Sequence, residues 1–147
     1  MKPLLVNKKA RFEYEFIETL TAGVVLTGGE VKMLRNSKGS LQGSFVRLIS
    51  GEAWLINAQI PPYPYARNED YDPKQSRKLL LKKKELEQLA AVTKTKGITL
   101  VPTMIGLDGR FIKVEVAIAR GKNVRDRREQ IRRRDLERQT ARDLKQY

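Results

Sequence analysis

The 147-residue chain contains no cysteine and no histidine. Without cysteine there are no disulfides and no thiolate chemistry, and a reducing cytoplasm is permitted. Without histidine, the commonest general base and the commonest metal ligand are both missing. No apolar run approaches the roughly 20 residues that a membrane span needs. The opening MKPLLVNKKARFEYEF lacks a signal-peptide apolar stretch. Gly28-Gly29 has neither the spacing nor the context of a phosphate-binding loop, and nothing resembles a nucleophile elbow. The only dense acidic group, Glu69-Asp70-Tyr71-Asp72, precedes Pro73 and reads as a solvated loop rather than a divalent-metal site. The expectation is a cytoplasmic, non-enzymatic protein with no catalytic residue, no metal and no cofactor.

Positive charge is what the chain has in excess. It holds 30 Lys+Arg against 17 Asp+Glu, a net of +13. Residues 120–147 carry 11 of the bases and 5 of the acids, so both parts of the chain are basic. Such a balance favours a polyanionic partner. In the tail, Val124, Ile131, Leu136, Leu144 and Tyr147 are the only sizeable apolar residues, and they form no continuous helical stripe. This tail has no apolar face for a membrane. Nine of its eleven bases are Arg, the side chain whose planar fork suits phosphate and stacking contacts. The Glu129–Arg133 spacing leaves a helix latent, to be ordered by bound phosphate. Two units are expected: a folded body over 1–119 and a basic tail over 120–147, disordered when free.

Within the body, Phe12, Tyr14 and Phe16 alternate with glutamates, the period of a half-buried strand, and Ala22–Leu26 reads as a second strand. Glu30–Arg35 reads as a short helix with Val31 and Leu34 inward. Phe45–Ile49 and Glu52–Ala58 flank Ser50-Gly51 as a hairpin. PPYPY (Pro61 to Tyr65) cannot be an interior strand. Arg77–Leu81 fits a strand, or a helix start capped by Asp72; strand is preferred. A helix over Lys83–Lys94 buries Leu86, Leu89 and Ala90. The clearest hairpin joins Ile98–Leu107 to Arg110–Ala119 through Asp108-Gly109, with Ile112, Val114, Val116 and Ile118 on one face. The fold class is mainly β: a small, closed or partly closed antiparallel barrel with about two flanking helices.

Among the body's bases, Lys8, Lys9 and Arg11 crowd the first strand, Lys82-Lys83-Lys84 fits a solvated helix face, and Lys113 stands alone on a strand. Tyr63, Tyr65 and Tyr71 suit either loop packing or base stacking.

Four ordered blocks go further than composition. They are Asn7-Lys8-Lys9-Ala10-Arg11 with Tyr14; Ala22-Gly23 with Leu26, Gly28 and EVKMLR (Glu30 to Arg35); RKLLL (Arg77 to Leu81); and Gly121-Lys122 with Asp126-Arg127-Arg128 leading to Ile131. With these blocks the chain resembles, over essentially its whole length, the SsrA-binding protein family, the bacterial partners of transfer-messenger RNA. The resemblance implies an oligonucleotide-binding (OB)-type barrel and a role in ribosome rescue by trans-translation. It implies RNA-side positions at Asn7, Lys8, Lys9, Arg11, Glu30, Lys32, Arg35, Leu80 and Lys113, with Glu30 either contacting RNA or ordering the barrel. It implies a tail, including Lys122, Asp126, Arg127, Arg128, Ile131, Arg132 and Leu136, that turns helical near the decoding centre and the empty message channel. The implied partners are the tRNA-like domain, small-subunit ribosomal RNA and, through the RNA, elongation factor Tu and alanyl-tRNA synthetase. Phe12, Thr21, Asn123, Arg127 and Leu136 depart from residues common in the family. The residues themselves also admit a general RNA chaperone or ribosome-assembly factor, or a metal-dependent nuclease using Glu69, Asp70 and Asp72.

Overall fold

A computed structural model describes residues 1–122 together with Arg132, Arg134, Leu136 and Arg138. The body runs β1 (Lys2–Val6), α1 (Lys8–Glu13), β2 (Tyr14–Val24), α2 (Gly28–Arg35), β3 (Phe45–Ile49), β4 (Glu52–Ile56), β5 (Arg77–Leu80), α3 (Lys83–Val92), β6 (Ile98–Asp108) and β7 (Phe111–Gly121). All strand pairs are antiparallel. The order β1-β6-β3-β4-β5-β2-β7 returns to its own second member, because β6 also pairs β7. Six strands therefore close a ring, which removes the edges an open sheet would expose. β1 lies outside that ring, on the far half of β6.

Two β-bulges determine what faces inward. In β2 the register with β7 shifts between Phe16 and Glu18, leaving Ile17 as the extra residue. In β6 it shifts between Pro102 and Met104, at Thr103. An inserted residue reverses the inside-outside parity of everything beyond it. Before the β2 bulge, Tyr14 and Phe16 pack outside the barrel on a small cluster of Ala10, Val101, Ala117 and Ala119. Beyond it, Leu20, Ala22 and Val24 join the interior with Leu34, Leu55, Ile60, Leu89, Leu100, Ile105, Val114, Val116 and Ile118. β7 thus has buried residues on both faces from Val116 to Ala119: one row fills the barrel and the other lies beneath α1.

Helix α1 replaces the expected strand at Phe12. Asn7 caps it: its Oδ1 accepts from Ala10 N at 3.2 Å, while its Nδ2 donates to Pro102 O at 2.9 Å. That side chain is 6 % exposed, so its hydrogen bonds offset the desolvation of a buried amide. The apparent alternation at Phe12, Tyr14 and Phe16 spans a helix end and a strand start. The two strands read at 12–16 and 22–26 are one continuous strand, β2.

Other expectations stand closer to the structure. β3 and β4 meet at Ser50-Gly51, both with positive φ (51° and 77°), the backbone of a tight hairpin turn. β5 is a strand, as preferred. The last hairpin turns one residue later than read: Asp108 pairs Phe111, leaving Gly109-Arg110 as the loop. β7 also continues to Gly121, past Ala119. In α3, Leu89 is fully buried, but Ala90 is exposed and Val92 packs inward instead. Against an expectation of about two flanking helices, α1 joins α2 and α3 among residues 1–122.

Leu55 is fully buried in the barrel interior. Leu55→Ala should destabilise the body by about 2–5 kcal/mol, read as a lower urea midpoint at unchanged slope.

Candidate nucleic-acid interface

The sequence TGGE opens α2. Thr27 Oγ1 accepts from Glu30 N at 3.2 Å, and Glu30 Oε1 accepts from Thr27 N at 2.9 Å, a complete capping box. The other carboxylate oxygen of Glu30 has a separate task. Oε2 accepts from Arg77 Nε at 2.6 Å and from Gln75 Nε2 at 3.3 Å. Both side chains of the Glu30–Arg77 ion pair are nearly inaccessible, at 2 % and 1 %. Arg77 completes its fork on backbone: Nη1 donates to Ala58 O at 2.7 Å and Gln75 O at 3.0 Å, and Nη2 to Pro73 O at 3.0 Å. The Tyr71 hydroxyl lies 2.8 Å from Ile60 O and 3.2 Å from Glu30 Oε2, donating to one at a time, and accepts from Arg77 Nη2 at 3.3 Å.

This network clamps residues 57–76, the long connection from β4 to β5, against the first turn of α2. Burial pushes the Glu30 carboxyl upward, but the Thr27 amide and the Arg77 guanidinium pull it further down, so it sits below its ordinary 4.5. Tyr71 is held above its ordinary 10.0 by burial and by the Glu30 charge. Glu30 is turned into the protein, both its carboxylate oxygens held by Thr27, Gln75 and Arg77.

The strand register explains a second group. Lys113 on β7 lies opposite Gly23 on β2 and Gly106 on β6, and Gly23 lies opposite Leu80 on β5. Cross-strand partners share a face. Lys113 and Leu80 thus stand on the outer wall with only Gly23 between them. Leu80 is 53 % exposed, against 2 % for its neighbour Leu79, which points into the core. A Cβ on Gly23 would come within 3.3 Å of the Leu80 Cβ, so a side chain there would press on Leu80. Lys113 Nζ rests 3.4 Å from Asp108 Oδ2 at the end of β6, partly exposed. Arg35 Nη2 reaches Arg110 O in the same hairpin turn at 3.4 Å, bringing the end of α2 to this wall. Lys32 is exposed, its Nζ 5.4 Å from the Tyr63 ring centroid.

The remaining basic positions lie around α1. Lys8, Lys9 and Arg11 are exposed, while Asn7 is the buried cap. Lys9 pairs Glu13 at 3.7 Å, and Lys122 Nζ donates to Arg11 O at 3.2 Å. Arg11 and Lys122 border a cleft of about 430 Å³ whose floor includes Thr103 and Glu115. The Arg132, Arg134, Leu136 and Arg138 backbone is helical, with all four residues exposed. The Arg134 guanidinium lies over the Phe12 ring at 5.4 Å. Asp126, Arg127, Arg128 and Ile131 lie outside the described residues.

The structure thus joins Lys32, Arg35, Leu80 and Lys113 on one side of the barrel and gathers Lys8, Lys9, Arg11 and Lys122 at α1. Sequence reasoning missed Arg77 and Asp108 as members of the site. Arg77 had a signal: it shares strand parity with the core residue Leu79, and a charge on an inward row needs a buried partner. Asp108 was read only as a turn former. Glu69, Asp70 and Asp72 are exposed, and no group of three or more His, Cys, Asp or Glu among the described residues is placed to hold a metal ion. No helix among the described residues is long and apolar enough to cross a membrane.

Taken together, the closed barrel, the outer row around Lys113 and the basic α1 corner define a small β-barrel protein whose surface suits a polyanion. The comparisons narrow that class. The SmpB protein family model matches residues 4–146. The chain is 44% identical over 144 residues to an SsrA-binding protein of Streptococcus pyogenes serotype M49 (strain NZ131), covering 98% of this chain and 93% of that one. It is 45% identical over 144 residues, with the same coverage, to an SsrA-binding protein of Ligilactobacillus salivarius (strain UCC118). A solved chain described as "tmRNA-SmpB: a journey to the center of the bacterial ribosome" superposes with a TM-score of 0.69 at 42% identity, over 87% of this chain and 94% of that one. The chain belongs to the SmpB protein family.

Removing one member of a buried ion pair strands the other. Arg77→Ala should lower unfolding stability by about 3–5 kcal/mol, whereas the double variant Glu30→Gln with Arg77→Met should lose much less. The pH sign follows from the depressed Glu30 value. Its contribution is complete above the unfolded-state value near 4.5 and is lost as pH falls through the lower folded value. Urea midpoints measured in that acid range should therefore fall more steeply for the wild-type chain than for Glu30→Gln.

Proposed function

We propose that this chain is a non-enzymatic RNA-binding adaptor of the cytoplasm, acting with transfer-messenger RNA in trans-translation. The body binds the tRNA-like domain, and the basic tail engages small-subunit ribosomal RNA near the decoding centre and the empty message channel. Elongation factor Tu and alanyl-tRNA synthetase join through the RNA rather than through this chain. The observation that carries the reading is the outer row of Lys113, Gly23 and Leu80, which offers one amine and one apolar side chain on a stretch bare of other side chains.

In this reading Lys113 meets a phosphate and Leu80 packs on a sugar or base, while Lys32 and Arg35 extend the cationic track along α2. Lys8, Lys9 and Arg11 supply a second set of phosphate contacts beside the start of the tail. Asn7 and Glu30 support the surface from beneath. Asp126, Arg127, Arg128, Ile131, Arg132 and Leu136 act on the ribosome, where ribosomal phosphates relieve repulsion among the arginines and stabilise helix.

Lys113→Ala should weaken binding of the tRNA-like RNA and reduce the slope of log affinity against log salt by about one, with Lys113→Arg retaining most of both. Truncation after Lys122 keeps β7 whole and its Lys122 N–Glu13 O bond at 2.9 Å. The truncated body should bind that RNA like the full chain while peptide tagging on stalled ribosomes disappears. Equal affinity for unrelated structured RNAs at the same salt would instead favour a general RNA chaperone.

A further inference from the structure

The β4–β5 connection contains PPYPYARNEDY, and its three tyrosines separate into two roles. Tyr71 is the hydroxyl inside the Glu30–Arg77 network. Tyr65 is 88% exposed, the most exposed large apolar-bodied side chain of the described residues. Tyr63 lies between α2 and Tyr65. Lys32 Nζ sits 5.4 Å from its ring centroid on one side, and the Tyr65 ring meets it edge-to-face at 5.4 Å and 68°. Gly29 makes the approach to α2 possible, since a Cβ there would stand 3.1 Å from the Tyr63 Cβ. The backbone under the two rings is fixed: Tyr63 O accepts from Asn68 Nδ2 at 2.9 Å and from Ala66 N at 3.2 Å. Pro61, Pro62 and Pro64 restrict it further. A flexible loop would let an aromatic ring fold back onto the surface. This one is clamped at its base by a buried ion pair and still holds Tyr65 out in water.

We propose that Tyr65, seated on Tyr63, is a stacking platform for an unpaired nucleobase of the bound RNA, an inference that rests on the RNA-binding reading above. Local charge selects this occupant. The same loop carries exposed Glu69, Asp70 and Asp72 against Arg67 and Lys74, so its charges nearly cancel and it offers no cationic cluster for a phosphate or an acidic peptide. A neutral ring is what remains attractive there, provided a polyanion is already held by the cations of α2 and β7. The edge-to-face contact leaves a face of the Tyr65 ring open, and base–aromatic stacking needs only such a face. Lys32 polarises the pair and sits where the backbone of the stacked nucleotide would pass.

The test is equilibrium binding of the tRNA-like domain of transfer-messenger RNA to the full-length chain at fixed salt. Wild type, Tyr65→Ala, Tyr65→Phe and Lys113→Ala are compared. The platform predicts that Tyr65→Ala weakens binding by about five- to a hundredfold, the range of one stacked base. It predicts that Tyr65→Phe binds like wild type, and that the salt slope stays unchanged because stacking releases no counterions. Wild-type affinity for Tyr65→Ala, alongside a weakened Lys113→Ala, would overturn the platform and leave the RNA reading standing. Loss of affinity in Tyr65→Phe as well would show that the hydroxyl, not the ring face, is used, and would also overturn it. Failure of the wild-type chain to bind this RNA would remove both the RNA reading and the platform.

Discussion

A carboxylate and a guanidinium, each shut away from water, hold α2, β5 and the connection between β4 and β5 in register. Glu30 comes from the first turn of α2 and Arg77 from the first residue of β5, and the loop between β4 and β5 supplies most of the remaining hydrogen bonds. Such a pair adds little net stability over a well-packed apolar substitute, but losing either partner is expensive. Its value here is positional. It sets where α2 lies against the barrel, and therefore where Lys32 and Arg35 stand. It sets how β5 enters the sheet, and so where Leu80 emerges. It also anchors the connection that carries Tyr63 and Tyr65.

The barrel handles the rest by parity. Strands buried on one face read as simple alternation, yet β2, β6 and β7 each serve two neighbours: the interior and the underside of α1. The bulges at Ile17 and Thr103 let one strand do both by switching faces midway. Beyond the second bulge lies the hairpin turn, where Arg35 at the end of α2 reaches Arg110 O. Lys113 and Leu80 stand on the same wall, with glycine on the strand between. Here the framework presents a positive charge beside an exposed apolar side chain and glycine backbone.

Much of this was legible in the residues. The β3–β4 and β6–β7 hairpins were marked by Ser50-Gly51 and Gly109, whereas Arg77–Leu81 fitted either a strand or a helix start and only the strand was realised as β5. Helix α2 was marked by its acid-first, base-last order. The misses share a cause in tertiary context. α1 is six residues long and exists because Asn7 caps it against β6 and Ala10 fits a shallow site on Ala117 and Ala119; no periodic stripe announces it. A bulge carries no residue signature, so β2 read as two strands. Ala90 and Val92 are both plausible inward residues on α3, and only the angle of docking separates them. The buried role of Glu30 was half visible: the capping spacing from Thr27 was in the sequence, but a second carboxylate oxygen aimed at a residue 47 positions away was not.

The central claim is that Glu30 acts on RNA only through the geometry it imposes. Amide hydrogen exchange across residues 57–76, measured with RNA affinity on the same Glu30→Gln protein, tests this most directly. The account predicts faster exchange in that segment and weaker binding together, in a chain that remains folded. Weaker binding with exchange unchanged from wild type would contradict it, because the carboxylate would then be meeting the RNA itself.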